Sequence, residues 1–432
     1  MSALNQLSAT DIGRRIRAGD TTPSAVMQAH LARIAAREPQ VGAFQTLDAD
    51  RAMERARAAD ALPVNGTPLG PLHGVPFVIK DIIDTDDMLT SWGSEIYANR
   101  QPERNAACVQ TFLDAGAIPI GKTVTTEFAY FKPGKTANPH NLAHTPGGSS
   151  SGSAAAVADF MAPLAFGSQT AASLIRPAAY CGVTAFKPTT GGFDLTGVMG
   201  LSTSLDTLGV LARSVTDLIL ARAVLLGQSL PPLADFDETL PRINLMRGPH
   251  WQDGSIEMRD TCTRAMAALA ATGADTGEIA TPPSFADLTQ AQITVMGYEA
   301  ARARISEYTA GGATISPQFR ALIQVGQRVS QQAYDQALAL RKRANQMLDV
   351  LFADCDVLLV PSAPGAAPKG LQATGDPLFS RMWNLLQLPC VALPFGTDAD
   401  GLPLGIQLIG RRGDDARLLD VAAWVQDQLH RA

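Results

Sequence analysis

The sequence predicts an α/β fold, and two patterns carry that expectation. Short apolar runs at 75–79, 118–120, 162–167, 243–246, 357–360, 391–394 and 406–409 have strand length and end in turn formers. Around and between them, apolar residues recur at helical spacing, most plainly near 261–273, 289–308, 330–352 and 416–429. A chain of 432 residues, 46% of them hydrophobic, can bury a large core.

In chain order, residues 8–60 read as two or three surface helices, with Ile12, Ile16, Val26, Ala29, His30 and Ile34 on apolar stripes. Thr10 and Thr22 are expected N-caps, and Pro23 suits a first helical position. The Pro- and Gly-rich stretch 62–74 is a loop, in which Asn65-Gly66-Thr67 is a turn rather than a glycosylation acceptor. The run 75–79 then forms a strand that ends on Lys80, among Phe77, Val78, Ile79, Ile82 and Ile83. Such a lysine either snorkels to pair with Asp81 or Asp84, or is a buried neutral amine able to act as a base.

Two motif matches fail on context. Gly116 to Thr123 spells G-x-x-x-x-G-K-T, but its interior, Ala-Ile-Pro-Ile, is itself the expected strand and follows a helix-like segment. A phosphate cradle needs the opposite order. Gly148-Ser149-Ser150-Ser151-Gly152 spells G-x-S-x-G, yet no apolar strand runs into it, which leaves a Ser150-His-Asp hydrolase as a weak alternative. His140 and His144 lie in the preceding loop with no acidic orienter nearby in sequence, and read as backbone-bonded.

Bulk properties exclude several classes. The net charge is -6 and the Lys and Arg residues are scattered, so nucleic acid is not expected as the primary partner. Five cysteines without a C-x-x-C pair suit a reducing compartment and argue against a disulfide framework or a zinc site. The first twenty residues hold no apolar signal core, and 154–167 is too short and is interrupted by Asp159. A cytoplasmic protein without membrane contact is expected.

Residues 145–188 hold small side chains at high density, with Gly147 to Gly152 and Gln169 to Ser173 either side of an apolar run. Small residues let backbone N–H groups approach a reacting atom. The wording PGGSSSGSAAAVA at 146–158, S-x-x-R-P-A-x-x-C-G at 173–182 followed by Phe186-Lys187-Pro188, and VPFVIKD at 75–81 resembles the amidase signature family. Segments 23–60, 197–218 and 388–410 look like further landmarks of that family in their usual order, and only about 230–350 lacks one.

The resemblance implies a single amidase domain over 1–432, with a mixed central sheet covered by helices on both faces. Its core would be about 65–230 and 355–432, and 230–350 a variable helical region on the substrate side. It implies Ser173 as nucleophile, Ser149 as a bridging serine on a cis peptide bond, and Lys80 as the neutral base. Thr170, Ala171, Ala172 and Ser173 would supply oxyanion N–H donors, and Ser150 would support Lys80. Neither metal nor cofactor is needed for such chemistry. The expected activity is hydrolysis of a small-molecule carboxamide through a serine acyl-enzyme, that amide being the partner, with a homodimer left open. The alternatives are the glutaminase subunit of a tRNA-dependent amidotransferase, or a silent family member acting as a binding protein. Trp251, Tyr298, Tyr308 and Phe319 are aromatic candidates for a pocket wall, with packing as their ordinary role.

One departure stands out. Around the nucleophile the family wording resembles T-D-x-G-G-S, whereas residues 168–173 read S-Q-T-A-A-S. Added Cβ atoms should narrow the oxyanion hole and penalise any positive φ, and Gln169 should leave Arg176 in need of another partner.

Overall fold

Strand alternation sorts the apolar residues onto two faces. Phe77 and Ile79 belong to one buried cluster and Val78 to the other; Leu164 and Phe166 separate from Ala165 in the same way, as do Val391 and Leu393 from Cys390 and Ala392. A sheet apolar on both sides must be covered on both sides. In this computed structural model, which describes residues 3–61, 69–236 and 239–431, helices provide that cover. The expected loop and Asn65-Gly66-Thr67 turn fall largely outside the described residues.

The sheet has eleven strands among the described residues: β1 Phe44–Leu47, β2 Pro76–Lys80, β3 Ile118–Thr123, β4 Leu164–Gln169, β5 Thr184–Lys187, β6 Thr207–Ala212, β7 Arg242–Leu245, β8 Asp275–Glu278, β9 Val357–Pro361, β10 Cys390–Thr397 and β11 Pro403–Ile409. Their spatial order is β1-β3-β2-β4-β6-β5-β10-β11-β9-β7-β8. The central trio β3-β2-β4 is parallel, β4 to β6 and β10 to β11 are antiparallel, and β7 pairs parallel with both β8 and β9. The mixed sheet is therefore as expected. Strands β1, β5, β6 and β8 were not: β1 and β8 are four residues long with little burial, so no periodic apolar signal marks them, while β5 and β6 are buried throughout but lie outside the runs expected to be strands.

Local chemistry sets the helix ends. Thr22 caps Pro23–Val41 as expected, but Ser8, not Thr10, caps Ala9–Arg17, and the Thr10 hydroxyl instead donates to Asp217. The helix Ser151–Ala158 lies close on the sheet because Gly152 permits it: a Cβ there would fall 2.2 Å from the Ala43 carbonyl oxygen and 2.5 Å from the Val124 nitrogen. No helix among the described residues is long and apolar enough to cross a membrane.

Candidate active site

The parallel trio carries the site at its ends. Lys80 closes β2, Ser168 lies near the end of β4, and the loop 170–173 joins β4 to the helix Ile175–Cys181. Lys80 is fully buried, with Nζ 2.7 Å from Ser149 Oγ and 2.8 Å from Ser168 Oγ. Burial drives its pKa down to about 7, against a smaller upward pull from Asp206. The acidic neighbours in sequence point away: Asp81 accepts from the Ser91 hydroxyl and lies 3.6 Å from Lys122 Nζ, while Asp84 pairs with Arg100 at 2.7 Å. A surface-paired Lys80 is thereby excluded, and an amine that is neutral in a substantial fraction of molecules near pH 7 can take a proton from a hydroxyl beside it.

Ser149 follows a cis Gly148–Ser149 peptide bond. The Gly148 carbonyl accepts from Arg176 Nη2 at 2.7 Å, and the Ser149 carbonyl from the Thr126 N–H at 3.3 Å, which fixes the loop on both sides. Ser150 sits one step further out than expected. Its hydroxyl accepts from the Ser168 N–H at 3.2 Å and lies 3.3 Å from the Ser168 carbonyl, so it braces β4 and makes no hydrogen bond to Lys80. The direct neighbour is Ser168, which sequence reasoning missed.

Ser173 is partly exposed and lines one pocket with Ser149, Thr170, Ala171 and Ala172. The pocket holds about 340 Å³ of empty space, and Tyr130, Phe131, Met296 and Arg176 contribute other walls. Among the described residues, the N–H groups of Ala171, Ala172 and Ser173 donate to no protein acceptor, and no hydrogen bond joins the Ser173 and Ser149 hydroxyls. Unpaired N–H groups at a pocket floor suit an anionic oxygen.

The altered wording of this loop has a structural answer. Neither Ala171 nor Ala172 adopts positive φ, so alanine costs no backbone strain at either position. Gln169 turns inward and its Oε1 accepts from the Leu174 and Ile175 N–H groups at 3.1 Å each, satisfying the start of the next helix. Arg176 finds carbonyls in place of a carboxylate, bonding Gly375 O at 2.6 Å and Gly148 O, with Thr374 Oγ1 at 3.1 Å. Asp206 accepts from the Thr170 hydroxyl at 2.5 Å, and burial lifts its carboxyl to about 6. The Thr170 carbonyl accepts from Gln292 at 2.9 Å and Asn384 at 2.7 Å.

Other sequence candidates lie elsewhere. His140 bonds the Cys181 carbonyl at 2.9 Å and His144 the Ala367 carbonyl at 2.7 Å, as expected of loop histidines. Lys122 of the rejected phosphate-loop motif is buried in β3, donating to Ile83 O and Thr90 Oγ1. Trp251, Tyr298, Tyr308 and Phe319 do not line the pocket, and Tyr298 stacks on Tyr334 with centroids 4.1 Å apart. The aromatic wall comes from Tyr130 and Phe131, and the middle third contributes Met296.

Fold and pocket together define a class: an amidohydrolase-type enzyme working on carbon–nitrogen bonds. The sequence pattern of the Amidase family matches residues 25–419, and the chain belongs to that family. It is 33% identical over 477 residues to the A subunit of the glutamyl-tRNA(Gln) amidotransferase of Acidothermus cellulolyticus, covering 98% of this chain and 94% of the relative. It is 34% identical over 480 residues to the corresponding protein of Roseiflexus sp. strain RS-1, covering 98% and 96%. A solved structure described as an amidase superposes with a TM-score of 0.89 at 28% identity, covering 98% of this chain and all of that one. The two amidotransferase relatives correct the expectation of an amidase that works alone on a small carboxamide, because they are components of a larger enzyme. The expectation of a small amide as the partner, with nucleic acid set aside, is corrected by the same finding.

Proposed function

We propose that this chain is the glutaminase component of a tRNA-dependent amidotransferase, releasing ammonia from the side-chain amide of glutamine for use by partner subunits. The observation that carries this reading is the near full-length similarity to the corresponding component of glutamyl-tRNA(Gln) amidotransferases. The pocket supports it as well: Arg176 lines the wall and Arg381 lies near enough to act on its ionisation, and neither forms an ion pair among the described residues. A cationic wall favours a substrate that carries a carboxylate, as glutamine does. Ala171 and Ala172 cost no strain and leave the N–H donors in place, which supports an active site over the silent alternative.

In this reading Ser173 Oγ attacks the amide carbon, and its proton passes through Ser149 to Lys80 Nζ. The oxyanion rests on N–H groups of residues 170–173. The tetrahedral species collapses, the leaving nitrogen takes the proton, and ammonia departs. Water then attacks the acyl ester, returning Ser173 and glutamate. Residues 230–350 act as the substrate-side region, with Met296 on the wall and Gln292 bracing Thr170. Five free, buried cysteines suit a cytoplasmic setting.

Purified from its native cells, the protein is expected to carry partner subunits and to release ammonia from L-glutamine. A chain that purifies alone and leaves glutamine intact while cleaving other amides would overturn the reading. The relay has its own test. Residues acting as one unit lose activity non-additively, so Ser149→Ala combined with Lys80→Ala should be scarcely slower than the worse single variant. Multiplication of the two rate losses would show independent roles.

A further inference from the structure

A second open cavity, with about 720 Å³ of empty space, lies apart from the catalytic pocket. Its walls come from the helix Gln331–Gln346, from Gln387 just beyond the helix Leu378–Leu385, and from the loop after β11. They carry three cations, Arg341, Lys342 and Arg412, beside Asn345 and Gln387.

These cations stand without carboxylate partners. Arg341, Lys342 and Arg412 form no ion pair among the described residues, as is also true of other arginines such as Arg15, Arg57 and Arg343. Arg341 Nη1 is buried without a hydrogen-bond partner, and so is Asn345 Oδ1. A guanidinium N–H removed from water and left unpaired is costly. Arg412 lies close enough to weigh against the charge on Arg341, which burial already disfavours. Glu299 and Tyr334 also act on Arg341, but the Glu299 carboxylate is engaged by Ser202, Ser204 and Tyr334.

We propose that this cavity binds a phosphoryl anion, either inorganic phosphate or the phosphate monoester end of a small metabolite. A carboxylate offers two oxygens and satisfies one guanidinium fork. A phosphate monoester offers three free oxygens, enough for two guanidiniums and one ammonium. Leu338 and Ala339 on the same wall give an organic remainder an apolar surface.

The test uses the full chain at low ionic strength, titrated by calorimetry and thermal shift with inorganic phosphate, then glycerol 3-phosphate, with acetate as control. Phosphate should bind saturably and raise Tm, as any ligand of the native state does, and acetate should not. Arg412→Gln, at an exposed position, should weaken phosphate at least tenfold, and Arg341→Gln more. Tighter binding of glycerol 3-phosphate would identify a phosphorylated metabolite as the source; equal or weaker binding would identify free phosphate. Absence of saturable phosphate binding overturns the proposal, as does wild-type affinity in folded Arg412→Gln and Arg341→Gln. Should Arg341→Gln fail to fold, Arg412→Gln and Lys342→Gln, both at exposed positions, decide the matter.

Discussion

Replacing Ser173 with alanine is expected to lower amide hydrolysis by about 10⁴-fold or more while the protein folds as before. The size of the loss follows from the role proposed for this hydroxyl, since removal of a serine nucleophile costs that much or more where a serine and its base act as a unit. The intact fold follows from the surroundings. Ser173 is partly exposed, its hydroxyl bonds no protein group among the described residues, and the fixed contact of this residue is its carbonyl, which accepts from the Ser150 N–H at 3.1 Å. Alanine keeps that carbonyl, so stability should change by no more than about 0.5 kcal/mol. Ammonia release and thermal unfolding of the purified variant provide the check. Near wild-type turnover would move the nucleophile to another residue of the pocket, with Ser149 first in line.

The rate on a neutral amide is expected to rise with pH through an ionisation near 7 and then stay flat, and Lys80→Arg should abolish both the rise and the activity. An ordinary lysine, titrating near 10.4, would leave roughly one molecule in 2,500 with a competent base at pH 7. Burial brings Lys80 to about 7, so about half the molecules hold the free amine there. An arginine in the same place keeps its proton and cannot serve. Stability has a linked signature. Between about pH 7 and the ordinary lysine value the unfolded chain holds a proton that the folded chain has released, so the contribution of this group to stability grows as pH rises across that window and is lost as pH falls through it. An active Lys80→Arg enzyme with an unchanged pH profile would remove Lys80 as the base. The structure makes His140 and His144 poor substitutes, because both are bonded to backbone carbonyls and neither lines the pocket.

Much of the site was legible because its signals are short-range. Lys80 stood out as a charge closing an apolar run, and the serine-rich turns as small residues at a density no ordinary core requires. The partners of those groups were not legible. Ser168 is 88 positions from Lys80 in sequence and meets it only because β2 and β4 run parallel side by side. The expected support from Ser150 gave way to Ser168 because the Ser150 hydroxyl is used up on the β4 backbone. The aromatic wall was misplaced for a similar reason: nothing local distinguishes Tyr130 and Phe131, in a loop, from the helical aromatics that pack elsewhere.

The sequence by itself determined the α/β class, most strands of the sheet, and the family, because period-2 and helical spacings and the serine and glycine turns are properties of neighbouring residues. It also held the chemistry of an amidohydrolase. It pointed to a lone enzyme on a small carboxamide, whereas the curated relatives described above, similar over nearly their whole length, are amidotransferase A subunits. Tertiary structure alone decided how the altered loop is tolerated. Whether alanine at 171 and 172 strains the chain depends on φ, whether Gln169 can replace a carboxylate depends on which N–H groups it faces, and whether Arg176 is satisfied depends on carbonyls at positions 148 and 375. Each is a question of direction in space, which the order of residues does not fix until the sheet brings distant segments together.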